Sequence, residues 1–337
     1  MQVTITIKDL AKRLNLSPST VSRALKDHYS IGEDTKRAVR ALALELNYKP
    51  NRAALSLLNK KSSIIGVVIP NITTSFYSYV ISGVEEVCLK NNYQVIFSQS
   101  HEKLENEKKA LEILLDARVD GMIVALSRET TTDEHLINVI NTGKSLILVD
   151  RVIPNFPCNK IIVDDVKGTE EATDFLISKG CRRIAYLAGF SSLFNDQQRR
   201  KGYLNSLQKN NIETSATYIC EDGLSPNNLR SFFSKFAKSE FPDGIITYND
   251  YIAFEAMKEA KARCLKIPED VSIFGFANEP ICLHVSPLLS TIDQPAFEMG
   301  KLAAEQLLDD IKKKKTSDFS TRILPTRIIL RDSTKNS

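Results

Sequence analysis

Along the first fifty residues, apolar positions recur with the spacing of short amphipathic α-helices. Positions 7, 10, 11 and 14 are apolar, and so are positions 21, 24 and 25, which places each group on one helical face. Thr6 and Ser17 stand just before these groups and can cap the two helices, and Pro18 suits a first helical position. Two short helices joined by about three residues predict a helix-turn-helix.

The segment up to residue 62 adds a third helix and one marginal helix. Gly32 precedes the third helix, whose buried face would take positions 39, 42, 43 and 46, and Pro50 ends it. Asn51 can then cap a short apolar segment, AALSLL, but a helix of about seven residues is marginal in water. The polar run after this segment indicates a domain boundary.

From residue 63 onwards the pattern changes to short, continuously apolar runs that alternate with predicted helices, such as 76–91 and 103–117. IIGVVIP, KSLILVD and DGIITY are rich in β-branched residues, as is typical of strands buried on both faces of a sheet. The repeated strand–helix order predicts an α/β fold with doubly wound parallel sheets. About 275 residues are many for one such sheet, so we expect two similar lobes with a cleft between them.

Charge separates the two parts of the chain. Residues 1–62 contain 12 lysines and arginines against five aspartates and glutamates, whereas the remainder contains 33 against 36. A basic module ahead of a slightly acidic body favours nucleic acid as a partner of the first part. A solvated charged surface without such a partner is the alternative explanation.

The outward side of the second predicted helix carries residues suited to DNA contact: Pro18, Ser19, Ser22 and Arg23. Small residues let a helix N-terminus approach base edges closely, and hydroxyl and helix-end N–H groups can bond phosphate. Arg23 can donate two hydrogen bonds to O6 and N7 of guanine. A well-capped surface helix without a DNA role is the alternative here.

Polar residues in the body occur where parallel sheets usually bind ligands, at the carboxyl ends of strands. Asn71, Asp150, Asn249 and Asp250 each follow an apolar run, and Arg199 lies in a predicted helix near its start. Each of them alone also suits a helix cap or a surface charge. Several polar residues converging at strand ends favour a ligand site.

Motifs of catalysis, cofactor binding and metal binding are missing from the sequence: it contains no P-loop, GxGxxG, GxSxG or HExxH, and its four histidines are dispersed. We therefore interpret the body as a binding module and not as an enzyme, with no cofactor and no metal site. No apolar run is long enough for a membrane span, the N-terminus lacks a secretory signal, and the six cysteines form no CxxC pair. These features predict a cytoplasmic protein without a membrane partner.

Four segments closely resemble the lactose-repressor/galactose-repressor (LacI/GalR) family of bacterial transcription regulators: TIKDLAKRLNLSPSTVSRAL, LNYKPNRAALSL, GFANEPICLHVSPLLSTIDQP and RILPTRIILRDST. The resemblance extends over residues 5–334 and implies a ligand-responsive, sequence-specific DNA-binding regulator, in the first place a repressor of carbohydrate-utilisation genes. Its implied partners are double-stranded, palindromic operator DNA, a small-molecule effector (a sugar, a sugar acid or a related metabolite) and further copies of the chain, as a homodimer or a tetramer. A solute-binding protein that shares the body fold, without a DNA role, is the alternative function.

The same resemblance implies how the chain divides. An all-α helix-turn-helix headpiece would take residues 1–50, and a hinge helix with its linker would take residues 51–62. A two-lobed α/β domain similar to periplasmic binding proteins would take residues 63–337, bind the effector and dimerise. The lobes would be discontinuous, with the segments 63–161 and 292–323 in lobe one and 162–291 and 324–337 in lobe two.

In the headpiece, the resemblance implies that Pro18, Ser19 and Arg23 face the major groove. Leu57 would be the hinge leucine that wedges into the minor groove. The other members of the implied DNA-binding set, which would hold the DNA backbone or complete the contact surface, are Thr6, Ser17, Thr20, Ser22, Asn51, Arg52 and Ala54.

In the body, the resemblance implies an effector cleft between the lobes. Its residues would be Asn71, Phe76, Asp150, Arg199, Leu224, Asn249, Asp250 and Asn278. Two departures from the family pattern change the expected ligand. Ala277-Asn278 stands where many members have two aspartates, and Leu224 stands where an aromatic ring often stacks on a sugar. Both departures argue against a simple neutral hexose, and with one carboxylate fewer an anionic sugar is a better candidate here than in acid-rich members of the family.

Overall fold

The computed structural model describes residues 5–48, 61–213, 215–221, 225–313 and 318–335. The chain divides into two compact units, Met1–Ser63 and Ile64–Ser337. Most of the predicted hinge, residues 51–62, lies outside the described residues. The residue limits predicted for the domains and lobes stay predictions.

The first unit consists, in its described part, of three helices: α1 (Ile7–Leu14), α2 (Pro18–Leu25) and α3 (Glu33–Glu45). The Asp9 carboxylate accepts hydrogen bonds from the Thr6 backbone N–H (2.8 Å) and the Thr6 hydroxyl (2.7 Å), which fixes the start of α1. Asn15 ends α1 in the left-handed conformation, with φ 52°. The helices share a small apolar core formed by Leu10, Ala11, Val21, Ala24 and Val39. The predicted helix-turn-helix is therefore confirmed.

The first sheet of the second unit is parallel throughout its described strands. These strands are β1 (Ile64–Ile69), β2 (Gln94–Gln99), β3 (Gly121–Val124), β4 (Ser145–Val149), β5 (Asn159–Val163) and β11 (Thr321–Leu324). They are arranged in the order β11-β5-β4-β3-β1-β2. The helices of this lobe are α4 (Ser75–Lys90), α5 (Leu104–Asp116), α6 (Glu134–Asn141) and α11 (Ala296–Lys313). Two of them begin and end within one residue of the predicted helices.

The second sheet has the same design with one reversed strand. Its described strands are β6 (Ile184–Leu187), β7 (Ile219–Cys220), β8 (Gly244–Thr247), β9 (Ser272–Ala277), β10 (Ser290–Asp293) and β12 (Arg327–Ile329), in the order β12-β10-β9-β8-β6-β7. Its helices are α7 (Asp165–Ser178), α8 (Phe194–Lys209), α9 (Pro226–Ser234) and α10 (Asp250–Ala262). The predicted parallel sheet is confirmed except at β12, which pairs antiparallel with β10. The chain enters β12 directly from the carboxyl end of β11 in the other sheet, so β12 has to run in the opposite direction.

The chain passes between the two sheets three times: after β5, after β10, and between β11 and β12. After the second passage, α11 returns to the first lobe and packs closely against α4. A side chain on Gly83 would place its Cβ 2.1 Å from the Phe297 carbonyl oxygen, and one on Gly300 would lie 2.0 Å from the Val80 carbonyl oxygen. The two glycines therefore allow an approach of the helices that any larger residue would prevent. No helix within the described ranges is both long and apolar enough to cross a lipid bilayer.

Candidate functional site

Helix α2 and its cap present polar side chains to solvent. Ser17, Pro18, Ser19 and Arg23 are exposed, and Thr20 and Ser22 are half-buried. The Ser17 hydroxyl caps the helix by accepting a hydrogen bond from the Thr20 backbone N–H (3.1 Å), and it also bonds the hydroxyls of Ser19 (2.7 Å) and Thr20 (2.8 Å). The helix thus combines a hydroxyl cluster and first-turn N–H groups at its start with one exposed guanidinium, Arg23, in its last turn. This combination suits contact with phosphates and base edges.

Two exposed aromatic rings follow α2 and were not singled out from the sequence. His28 and Tyr29 stack with their ring centroids 4.4 Å apart, and Tyr29 is 90% exposed. Asp27, just before them, pairs with Lys36 (3.0 Å) and Arg40 (2.9 Å) of α3, which ties this connection to the third helix. No periodicity marks such residues, because their spacing fits neither a helix face nor a strand.

Some predicted site residues lie outside the described residues. They are Asn51, Arg52, Ala54 and Leu57 of the predicted DNA-binding set and Leu224 of the predicted effector set. Their roles stay predictions.

A cavity of about 390 Å³ lies between the two lobes of the second unit, at the carboxyl ends of the strands in both sheets. The structure brings five of the predicted effector residues together in its lining: Asn71, Phe76, Asp150, Arg199 and Asn249. Further residues complete the lining, among them Tyr77, Glu102, Arg151, Phe190, Asn195, Tyr248, Tyr251, Glu279 and Gln294. Aromatic rings and hydrogen-bonding groups thus line the same space, as small-molecule sites require.

Asp150 joins three separate segments at the centre of this cavity. Its carboxylate accepts hydrogen bonds from the Tyr77 hydroxyl (2.8 Å), the Asn195 amide (3.3 Å) and the Gln294 amide (3.1 Å). Tyr77 belongs to α4 of the first lobe, Asn195 belongs to α8 of the second, and Gln294 lies in the passage between them. Burial raises the pKa of the Tyr77 hydroxyl well above its usual range, so it keeps its proton and donates to Asp150.

Arg199 lies in the wall of the cavity and is 3% exposed. Its Nε donates to the Asp165 carboxylate (2.7 Å), one terminal nitrogen donates to the Tyr248 carbonyl (2.6 Å), and its guanidinium carbon lies 3.6 Å from the centre of the Phe276 ring. Burial is the largest single influence on the Arg199 guanidinium and opposes its charge, but Asp165, Tyr248 and Asp150 together outweigh burial and raise the pKa of Arg199. Burial also raises the pKa of Asp165 to about 6, because desolvation there exceeds the effect of the arginine.

The structure does not place the last two predicted effector residues in the cavity lining. Asp250 is fully buried behind the wall, where it accepts hydrogen bonds from the Thr291 hydroxyl (2.6 Å) and the Glu279 backbone N–H (2.7 Å). Burial raises its pKa to about 6. Asn278 donates to Asp293 (2.8 Å) and borders a neighbouring cavity of about 350 Å³. Both residues therefore hold the loop that follows β9.

Glu279 is the cavity residue that bears most on the predicted ligand. The sequence pattern indicated a lost carboxylate at Ala277, yet the Glu279 carboxylate, two residues further on, borders the same cavity and is 4% exposed. It accepts hydrogen bonds from the backbone N–H groups of Ser75 (2.9 Å) and Phe76 (3.1 Å) across the cleft. This loop therefore still supplies a carboxylate to the cavity, and the signal for it was the GFANEP segment itself.

Comparison with protein families and relatives agrees with both units. Residues 6–51 match the model described as bacterial regulatory proteins, lacI family, and residues 173–334 match a periplasmic binding protein-like domain. The probable HTH-type transcriptional regulator EndR of Paenibacillus polymyxa is 30% identical, over 92% of this chain and 91% of its own length. The ribose operon repressor of Halalkalibacterium halodurans is 29% identical, over 98% and 97% of the two chains. These relatives are transcriptional regulators, not enzymes.

Solved structures give the same result for the fold. The lac repressor dimer bound to operator and the anti-inducer ONPF is 25% identical, with a TM-score of 0.86 over 98% of this chain and 99% of that chain. A LacI family transcriptional regulator from Enterococcus faecium with bound ribose is 28% identical, with a TM-score of 0.69 over 80% and 98%. The predicted regulator, and not the alternative solute-binding protein, is thereby confirmed: the chain belongs to the LacI family of bacterial DNA-binding transcriptional regulators.

Proposed function

We propose that the chain represses carbohydrate-utilisation genes by binding an approximately palindromic operator as a homodimer, and that a sugar or related metabolite in the cavity changes its operator affinity. The observation that carries the effector part is the cavity between the lobes, whose walls come from the strand ends of both sheets. A ligand that contacts both walls binds one lobe arrangement better than another and shifts the population towards it. The bound ribose of the related regulator supports a sugar-like ligand.

The proposed effector contacts follow from the lining. Asn71, Asp150, Arg199 and Asn249 would bond the polar groups of the ligand, and Phe76 would contact its apolar face. Asp250 and Asn278 would act indirectly, by holding the loop after β9, and Leu224 stays a predicted contact.

The proposed DNA contacts follow from the exposed end of α2. Pro18, Ser19 and Arg23 would approach the base edges in the major groove. The residues that would hold the DNA backbone or complete the surface are Thr6, Ser17, Thr20, Ser22, Asn51, Arg52 and Ala54. Leu57 would enter the minor groove and kink the duplex.

The proposed dimer is supported by an apolar edge on the first lobe. Strand β2 is the edge of its sheet, and its Ile96 and Phe97 side chains are 43% and 46% exposed. An exposed apolar edge strand usually needs a cover, because its free backbone groups can pair with another chain. A second copy of the same chain would cover this edge, and the two chains together would have the two headpieces that a palindromic operator requires.

A salt titration of binding to duplex DNA tests the DNA-binding role. If lysines and arginines of the chain neutralise several phosphates, the logarithm of the binding constant should fall steeply and linearly with the logarithm of the salt concentration. A flat response would contradict the proposal.

A thermal-shift screen against sugars, sugar acids and nucleosides tests the effector role. A compound that binds only the folded chain should raise the melting midpoint. The same compound should then change the affinity for an operator selected from random duplexes. A compound that raises the midpoint but leaves operator affinity unchanged would separate binding from regulation and argue against the effector role.

A further inference from the structure

The Glu279 carboxylate acts as an N-terminal cap for a helix of the opposite lobe. Helix α4 has 16 residues, and its N-cap residue, Thr74, makes no side-chain capping bond within the described chain. Glu279 comes from the loop after β9 in the second lobe and bonds the first two N–H groups of α4. First-turn N–H groups have no partner inside their own helix, and a carboxylate at this end is also favoured by the helix dipole. This bond therefore connects the lobes directly.

The loop that presents Glu279 is held in place before the contact is made. Asp250 accepts the Glu279 backbone N–H, and Asn278 is bonded to Asp293 and accepts a hydrogen bond from Arg331 (2.7 Å). Ala277 and Asn278 both have positive φ values, 123° and 59°, which turns the chain sharply between β9 and Glu279. A backbone in this region is costly for residues other than glycine, so the surrounding bonds must fix it. The position of the carboxylate is thus determined by the second lobe.

Helix α4, which receives the Glu279 carboxylate, is itself held firmly in the first lobe. Helix α4 is locked to α11 by the close approach at Gly83 and Gly300, and α11 follows directly on the passage that contains Gln294. The helix that Glu279 caps is thus packed against a helix that begins at a passage between the lobes.

The charges around the cavity are not balanced. The two arginines of the lining are each paired with a carboxylate, Arg151 with Glu102 (2.8 Å) and Arg199 with Asp165 (2.7 Å). Asp150 and Glu279, in contrast, accept hydrogen bonds from neutral donors among the described residues. Two carboxylates that bond neutral groups thus border the space in which the ligand would bind, with the charge of Arg199 acting on Asp150 from a distance. Such carboxylates favour hydrogen-bond donors over acids.

We propose that Glu279 joins the two lobes at the N-terminus of α4 and restricts the effector to ligands without an acidic group, that is, to neutral or amino-bearing polyhydroxylated compounds. This inference rests on the effector role proposed for the cavity. It reverses the expectation drawn from Ala277 alone, because the carboxylate missing at that position is supplied by Glu279.

Hydrogen–deuterium exchange of the full chain tests the connection without any ligand. In Glu279→Ala, the amides of Ser75 and Phe76 should exchange at least about tenfold faster than in the wild type, because their charged acceptor is gone. The amide of Ile72, which donates to the Gln99 side chain within the same lobe, provides an internal reference. Glu298→Gln is the matched control, since Glu298 is exposed and outside the cavity lining. Unchanged exchange at residues 75 and 76 in Glu279→Ala would overturn the connection.

Calorimetric titration with matched compounds tests the charge restriction. The probes are glucose, glucosamine and glucuronate, the corresponding galactose series, and ribose with ribose 5-phosphate. We expect neutral or amino members to bind at least about tenfold more tightly than their acidic counterparts. In Glu279→Gln, the difference in affinity between neutral and acidic compounds should become smaller, whereas in Glu298→Gln it should stay as in the wild type.

The outcomes of the two experiments are distinguishable. Two results would overturn the charge restriction and leave the effector role standing. One is an acidic compound that binds the wild type as tightly as its neutral counterpart. The other is a Glu279→Gln variant in which the affinity difference between neutral and acidic compounds is unchanged. If no probe of any charge binds, the effector role loses its support, and the exchange experiment still decides whether Glu279 connects the lobes.

Discussion

Arg199 is buried between the Asp165 carboxylate and the ring of Phe276, and it also borders the cavity. This one side chain therefore bears on both the stability of the fold and the proposed ligand contact. As a member of the effector cleft alone, Arg199 could be removed with loss of the ligand response and with DNA binding intact. The buried pair changes that expectation, because loss of the arginine leaves the buried Asp165 carboxylate without its charged partner.

We therefore expect Arg199→Ala to lower the free energy of unfolding by about 3–5 kcal/mol, measured by urea denaturation. Adding Asp165→Asn to this variant should restore part of the loss, since the unpaired charge is then removed. If Arg199→Ala denatures at the wild-type urea concentration, the pair does not contribute as described, and any loss of ligand binding can be assigned to the cavity alone.

Arg23 is a second residue whose environment sets its expected effect. It is exposed in the last turn of α2, beyond the hydroxyl cluster of Ser17, Ser19 and Thr20. Arg23→Ala should weaken binding to the preferred operator by about 1–3 kcal/mol and relax the preference at one base pair in each half-site. Selection from random duplexes measures this preference. Arg37→Ala on α3 is the control, which should keep the wild-type sequence logo; an identical logo for Arg23→Ala would refute the assignment.

At the scale of elements, the sequence pattern predicted most helices and strands because their signals are local. Ser17 and Pro18 mark the start of α2, and the helices predicted at 76–91 and 103–117 begin at Ser75 and Leu104. The reversed β12 could not be predicted, because its direction depends on where β11 ends in the other sheet.

The difference between local signals and tertiary contacts also explains which site residues could be predicted from the sequence. Asn71, Asp150 and Asn249 follow strands, so the rule for parallel sheets identified them. Asn195 and Glu279 reach the cavity from a helix and from the far side of a tight turn, and only the packed lobes bring them there. Tertiary contacts of this kind leave no periodic trace in the sequence.

The hinge segment provides the prediction that belongs to this scale. Leu57 lies outside the described residues, and its role is predicted from the sequence: a short segment that folds on DNA and inserts its leucine between base pairs. Leu57→Ser should strongly weaken operator binding, leave affinity for random DNA nearly unchanged, and leave effector binding as it was. Binding curves on the two kinds of DNA measure this. Equal losses on both would indicate a mere tether.

At the scale of the whole molecule, the apolar edge at β2 determines the expected assembly. Phe97→Lys places a charge on this edge, and we expect it to convert a homodimer into a monomer in light scattering and to reduce operator affinity, with effector binding retained. Ile137→Lys, on the exposed side of α6, is the matched control and should leave the dimer intact. A wild-type chain that is monomeric both with and without operator would contradict the proposed dimer.

The close approach of α4 and α11 at Gly83 and Gly300 also bears on how the ligand preference of such a regulator can be altered. Because a single added carbon at either position would collide with the backbone of the facing helix, the α4–α11 pair tolerates almost no change. The residues that border the cavity come mainly from strand ends and loops, where substitutions do not disturb that pair. New effector preferences are therefore accessible through loop positions such as Asn71 and Phe190, whereas Glu279 caps α4 and has to stay. The helix pair keeps the scaffold constant, which makes these loops the region to randomise in building a sensor for a different metabolite.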